Sequence, residues 1–287
     1  MGDWALEWNM SPILIQGEGW TLRWFTLLYW LELVLGYGLL SRQIRRARGD
    51  EEDAADLAVH LWIGFVVGAR FGHVLFYDLD HVVADPAWLF KIWSGGLGSH
   101  GALLGVLVAS RIFAKRRAIS ELEICDRLTF TCGLFAVVHR VGNFLNAEVL
   151  GKPTDGNWGV RFVQIERYDS EPLRHPSQLY EAALGLLLLV VLFVADRRLG
   201  REARPRGVLT ALALLVYFVG RFALEFFKES QGPMVLGLNT GQWLSVPFIA
   251  AGIWLYRKVT NHREAGGWHV PDPPPSSGAP ERGANRR

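Results

Sequence analysis

Leu184-Gly185-Leu186-Leu187-Leu188-Leu189-Val190-Val191-Leu192-Phe193-Val194 runs without a charged residue, and Gln178-Leu179-Tyr180-Glu181-Ala182-Ala183 leads into it. At helical rise, a chain needs about 20 predominantly apolar residues to cross the hydrocarbon of a bilayer. With its flanks, residues 176–195, this stretch reaches that length. Six others share its character: 21–40, 57–78, 96–113, 122–139, 207–227 and 242–256. The predicted fold class is all-α, a polytopic membrane protein with about seven transmembrane helices. Residues 1–259 are expected to form the membrane domain and 260–287 a disordered cytoplasmic tail. Pro271, Pro273, Pro274, Pro275 and Pro280 punctuate that tail, and it has too little apolar surface to order itself. The third stretch is the shortest and follows Gly95-Gly96-Leu97-Gly98. Just before it, Trp88-Leu89-Phe90-Lys91-Ile92-Trp93 reads as an interfacial or re-entrant piece. Met1 to Gln16 has neither the basic start nor the small-residue cleavage site of a removable signal peptide.

Basic residues decide the orientation. Arg42, Arg45, Arg46 and Arg48 follow the first stretch, and Lys115, Arg116 and Arg117 the third. Arg197, Arg198, Arg201, Arg204 and Arg206 follow the fifth, and Arg257, Lys258 and Arg263 the seventh. These alternate loops share one side, and the positive-inside rule makes it cytoplasmic. The N-terminus is then expected outside and the C-terminus inside. Half of the 287 residues are hydrophobic and 20% are charged, which excludes a disordered or collagen-like chain. Thirty basic against 28 acidic residues leave a net +2, which gives no case for nucleic acid as a partner. Two cysteines exclude a disulfide scaffold. HExxH, Walker, GxSxG and CxxCH motifs are absent.

Ionisable groups inside apolar stretches are costly and mark protein interiors or water-filled cavities. This chain has Arg23, Glu32, His60, Arg70, His73, His100, Asp126, Arg127, Arg140, Glu181, Arg221 and Glu225 there. Any one of them alone can be structural: Arg221 and Glu225, four apart on a helix, can simply pair. Two segments are denser. His139-Arg140-Val141-Gly142-Asn143-Phe144-Leu145-Asn146-Ala147-Glu148, with Gly151 beyond, offers a cation fork, amide donors and a carboxylate. His175-Pro176-Ser177-Gln178-Leu179-Tyr180-Glu181 opens a helix, with Pro176 suited to the first turn. Planar arginine with amides and hydroxyls around it is the chemistry a phosphate needs. The bland alternative for the first segment is a polar helix cap entering a surface loop. His100 lies between Ser99 and Gly101, where a ligand can come close, and its ordinary pKa suits proton abstraction. Cys125 and Cys132 read as small core residues.

Arg140-Val-Gly-Asn-Phe-Leu-Asn146-Ala-Glu148-Val-Leu-Gly151 resembles the signature of the bacterial prolipoprotein diacylglyceryl transferases. Arg70-Phe-Gly-His-Val-Leu-Phe-Tyr77, Gly95-Gly-Leu-Gly-Ser-His100-Gly101, His175-Pro-Ser-Gln-Leu-Tyr-Glu181 and Arg221-Phe-Ala-Leu-Glu225-Phe-Phe match in order, as does Gly241-Gln-Trp-Leu-Ser-Val-Pro247. The similarity runs from about Leu22 to Lys258. It implies transfer of the diacylglyceryl group of phosphatidylglycerol, a membrane lipid, to the lipobox cysteine in a prolipoprotein signal peptide, with release of glycerol phosphate. It also implies catalytic roles for His100, Arg140, Arg221 and Glu225, and no metal or organic cofactor. Substrate binding falls to Arg70, Arg140, Asn143, Asn146, Glu148, Gly151, Gln178, Tyr180 and Arg221. A thiol is mostly protonated at neutral pH and needs a base or a positive field. The leaving phosphate gathers charge that arginines can stabilise.

Four positions depart from the family pattern: Phe25 in place of a tyrosine, His139 of a glycine, His73 of a common tyrosine and Ser99 of a phenylalanine. Phe25 and His139 motivate a first rival, a phospholipid-binding relative with altered or lost transfer activity. A lipid scramblase or transporter is a second, resting on the buried charges alone; no internal repeat supports it.

Overall fold

Each apolar stretch becomes one long helix in the computed structural model. It describes residues 4–91, 95, 96, 98–163, 172–229, 234–261, 264 and 266–268. The helices are α1 (Trp24–Arg46), α2 (Glu51–Tyr77), α3 (Leu79–Ala84), α4 (Ser99–Arg117), α5 (Glu121–Leu145), α6 (Ser177–Arg198), α7 (Val208–Leu224) and α8 (Thr240–Asn261). Among the described residues, five helices are long and apolar enough to cross a membrane: α1, α2, α5, α6, and α7 continued to Phe227. The expected third and seventh spans are α4 and α8, which have the length but fall short in apolarity. The Trp88 segment begins as a 3-10 turn over Pro86–Phe90, and Ile92 and Trp93 lie outside the described residues.

The surface is as apolar as the core. On α6, Leu184, Leu188 and Leu192 are buried, while Leu186, Leu187 and Val190 are more than half exposed. Water would penalise such a face, and lipid tails do not. With no hydrophobic drive between helices in lipid, close packing holds them together. Gly64, Gly68 and Gly72 of α2 meet Gly101 and Gly105 of α4, and a methyl on any of the five would overlap the opposite backbone. The other principal contacts are α5 with α6, α7 with α8, and α1 with α5.

The all-α expectation needs one correction. β1 (Trp4–Trp8) pairs in parallel with β4 (Trp158–Phe162), and β2 (Ile13–Gly17) pairs antiparallel with β3 (Trp20–Arg23). These strands are four or five residues long, too short to stand out beside helices of more than twenty. Val160 and Phe162 bury against Phe144 at the end of α5, where Trp8 stacks at 4.6 Å. The sheets thus cover the bundle end where α5 and α7 finish and α6 and α8 begin.

The opposite end is closed by buried charge. Arg46 of α1 holds Asp196 at 2.6 Å and Glu202 at 2.9 Å. Arg127 and Glu123, a turn apart on α5, pair with no exposure at all. Asp126 accepts from the backbone N–H of Gly207 at 2.9 Å and of Thr210 at 2.8 Å, so α5 caps α7. In the α6–α7 loop, burial pushes the Glu202 carboxyl up, but Arg46 and Arg127 outweigh it and hold the group below its ordinary value.

Trp268 corrects the expected boundary at 260. Helix α8 runs to Asn261, and the chain then returns: Arg206 N–H donates to Glu264 O and Gly266 N–H to Arg204 O, both at 2.8 Å. The Trp268 indole is fully buried with Ile44, Leu57 and Phe113, and its N–H donates to Asp53 Oδ2 at 2.7 Å. A lone tryptophan in a polar stretch has no periodicity to announce it. Residues 269–287, where most of the expected tail falls, lie outside the described residues.

A chain ended after Trp268 should melt with the full chain in detergent. One ended after Asn261, or Trp268→Ala, should lose on the order of 3–5 kcal/mol, the usual cost of deleting a buried aromatic. Equal melting temperatures for both truncations would show that the ring contributes nothing.

Candidate active site

The loop leaving α5 is the least relaxed backbone near this end. Ala147 and Val149 have φ of 52° and 56°, a region disfavoured for any residue with a side chain and most of all for a β-branched one. Such a conformation persists only where its surroundings over-determine it. Here the first turn of α6 does so: Gln178 Nε2 donates to Glu148 O at 2.7 Å, and Ser177 Oγ to Val149 O at 3.3 Å. Glu148 N–H donates to Asn143 O at 2.9 Å. Gly151 completes the loop against the His175 carbonyl, with Arg174 Nη1 donating to Gly151 O at 2.9 Å.

That loop brings a charge network together. Arg140 of α5 places Nε 3.1 Å from Glu181 Oε2 and donates from Nη1 to Asn143 Oδ1 at 3.1 Å. Arg221 of α7 donates from Nη1 to Glu181 Oε1 at 3.3 Å. The Glu181 carboxylate therefore sits between two guanidinium groups. Asn143 and Asn146 each donate to Glu148, at 3.2 and 3.3 Å. Glu225 lies 3.5 Å from Arg221 Nη2 and accepts from Lys228 Nζ at 2.9 Å and Asn239 Nδ2 at 3.1 Å. It fits because Gly241, in the first turn of α8, has no side chain to occupy the same space.

Glu181 is almost wholly buried, whereas Arg140 and Arg221 keep 14% and 24% of their side chains exposed. Two partly exposed guanidinium groups flanked by amides have the donor chemistry that a phosphate-like anion needs.

Seven of the expected residues converge here: Arg140, Asn143, Asn146, Glu148, Gln178, Arg221 and Glu225. Gln178 and Gly151 act on the loop backbone. Arg70 does not join them. It is buried, and its guanidinium donates to the carbonyls of Trp88 at 2.5 Å, Gly95 at 2.8 Å and Leu89 at 3.1 Å. Its fork holds the loop before α4, which makes it a positioning residue. Tyr180 turns its hydroxyl to His175 Nδ1 at 3.2 Å. His100 falls in the first turn of α4, but its side chain lies outside the described residues.

Sequence reasoning noted Glu181 without giving it a role and missed Lys228, Asn239 and Gln242. A cation three residues past Glu225, directly after two phenylalanines, was the available signal for Lys228. Nothing local singles out Asn239 and Gln242, which exchange bonds at the start of α8: Gln242 N–H to Asn239 Oδ1 at 2.8 Å, and Asn239 N–H to Gln242 Oε1 at 3.0 Å.

The family model described as prolipoprotein diacylglyceryl transferase matches residues 12–257, which hold every long helix and the whole network. The chain belongs to this family. A phosphatidylglycerol–prolipoprotein diacylglyceryl transferase of Tolumonas auensis is 41% identical over 253 residues, covering 87% of this chain and 96% of the relative. One from Porphyromonas gingivalis is 36% identical over 270 residues, covering 89% and 95%.

Two of the departures from the family pattern touch each other. Phe25 meets His139 edge to face at 5.4 Å, and His139 stacks on Phe135 at 5.0 Å. The Phe25, Phe135 and His139 rings thus pack together next to Arg140 in the chain.

Gly151→Ala puts a methyl into the His175 carbonyl, which is backbone and cannot swing away. Overpacking of that kind costs about 1–3 kcal/mol, so the variant should melt lower and lose activity. Gly38→Ala, which meets no atom within 4 Å, should leave both unchanged. A Gly151→Ala protein that melts and works like its parent would refute the close-packing argument.

Proposed function

We propose that this chain transfers the diacylglyceryl group of phosphatidylglycerol to the lipobox cysteine of prolipoproteins. The thiol sulfur attacks the sp3 glycerol carbon that carries the phosphate ester. A carbon–sulfur bond forms, the carbon–oxygen bond breaks, and glycerol phosphate leaves with the electron pair. The observation that carries this reading is the convergence of Arg140 and Arg221 on one buried carboxylate at one end of the bundle. Their remaining N–H groups would bind the phosphate and stabilise the charge that builds on its oxygens. The names of the relatives support the two substrates. His100, in the first turn of α4, is the proposed proton acceptor. Glu225, already engaged by Lys228 and Asn239, would act by orienting Arg221 rather than by taking a proton.

The reaction is read as taking place in a bacterial cytoplasmic membrane, with seven spans, N-terminus outside and tail inside. Both substrates are membrane-bound, which accounts for a polar site within an apolar bundle. The paired change at Phe25 and His139 favours one rival, a relative whose transfer activity is altered.

The deciding assay is phosphatidylglycerol-dependent labelling of a lipobox peptide by purified protein. Arg140→Gln should lower specific activity by roughly 30- to 1000-fold, since a charge-assisted bond in a desolvated site is worth on the order of 2–4 kcal/mol. Arg140→Lys should keep some lipid binding and lose much of the rate, because lysine has the charge without the fork. If Arg140→Gln matches its parent per folded molecule, the phosphate role is wrong; no labelling by the parent would favour the altered-activity rival.

Orientation has its own test. Cysteines replacing Asp155 and Lys115, both exposed, in a variant with Cys125→Ala and Cys132→Ala should differ in intact cells. An impermeant thiol reagent should label position 155 alone until lysis. Equal labelling before lysis would overturn the seven-span arrangement.

A further inference from the structure

We propose that Lys228 is the residue that makes the anion site positive: it neutralises Glu225 and so leaves Arg221 free to serve the lipid phosphate. The proposal rests on the function argued above. Lys228 is a positioning residue, because it acts through Glu225 and Arg221.

Lysine is among the residues least often buried without a partner, and Lys228 is 5% exposed. Its Nζ lies 2.9 Å from Glu225 Oε1 and 3.5 Å from Glu181 Oε1, joining the two carboxylates that face the arginines. Its backbone is pinned as well. Lys228 bridges to Gly151, and Lys152 N–H donates to Phe227 O at 2.8 Å. The strained loop that positions Glu148 therefore also fixes the ammonium group.

The charge count gives this contact its meaning. The ion-paired set holds Arg140, Arg221 and Lys228 against Glu181 and Glu225, one positive charge in excess. Glu148 is exposed and reaches Arg140 only through Asn143, and exposed Glu229 pairs with Arg174. A phosphodiester carries one negative charge, so it would bring the buried set to neutrality. Without Lys228, two arginines and two glutamates already balance, and an entering phosphodiester would add an uncompensated buried charge.

The distances agree with this division of labour. Glu225 Oε1 is 2.9 Å from Lys228 but 3.5 Å from Arg221, and its Oε2 takes the Asn239 amide. Remove the ammonium, and Arg221 is the cation nearest to Glu225. It would then turn toward Glu225 and away from the lipid.

The test uses the full chain in zwitterionic micelles. The readouts are phosphatidylglycerol binding against phosphatidylcholine, the KM for phosphatidylglycerol in the labelling assay, and melting temperature. Lys228→Met should weaken phosphatidylglycerol binding and raise its KM by about tenfold or more, the scale seen when one partner of a buried charge pair is cut. Lys228→Arg keeps the charge and should stay within about threefold of the parent. The double variant Lys228→Met with Glu225→Gln restores one excess positive charge. It should recover lipid binding to within about threefold even if turnover is lost. Because it removes both members of the pair, it also carries the test if the single variant does not fold. A merely structural lysine would lower the melting temperature without this charge-dependent recovery. Parent-like binding and KM in folded Lys228→Met, or a folded double variant that binds about tenfold more weakly than the parent, would overturn the proposal. A parent without phosphatidylglycerol-dependent labelling would instead count against the proposed function.

Discussion

The Glu181 carboxylate, buried between Arg140 and Arg221, is the contact on which this end of the molecule depends. It comes from the second turn of α6, Arg140 stands five residues before the end of α5 and Arg221 is in the last turn of α7, so one acidic side chain joins three helices. Two guanidinium groups held this close repel each other, and a carboxylate between them is what allows the approach. Removing the acid would leave two uncompensated cations in a desolvated space, the costly way to break a buried ion pair.

The molecule is polar at its two ends and apolar along its waist. At the far end, Arg46, Arg127, Asp196 and Glu202 are bound to one another, and that end is sealed further by the Trp268 indole. At the near end the polar groups are held but partly open, and the loop after α5 keeps two residues at positive φ. One end is thus closed by charge pairs and a buried indole, and the other keeps a strained loop beside partly exposed arginines. Between them, α2 and α4 approach through glycine against glycine, which needs no apolar drive and works in a solvent as oily as the core.

Arg70 shows why a resemblance does not by itself assign a role. It lies in a stretch matching the family, yet its fork is filled by loop carbonyls. Gly151 and Gln178 likewise act through the backbone. In this structure these three residues make their contacts to backbone rather than to the charge network. The opposite holds for Lys228, which no motif emphasised and which touches both carboxylates of the network.

Seven apolar stretches in the sequence were enough to locate the seven long helices among the described residues, because a helix satisfies its own backbone polar groups where the surroundings are apolar. Arg140, Asn143, Glu148, Arg221 and Glu225 were legible for a similar reason: charge and amides in an apolar segment must have partners. The pairings were not legible. That Glu181 answers Arg140 and Arg221, that Lys228 answers Glu225, and that Trp268 returns to Asp53 across more than two hundred residues depends on which helix ends meet. Periodicity reports one segment at a time, and a five-residue strand or a single buried indole carries no period to detect. Only the packed bundle brings these distant groups within 3 Å or so of each other, and that proximity determines which charges cancel and which stay available to a substrate.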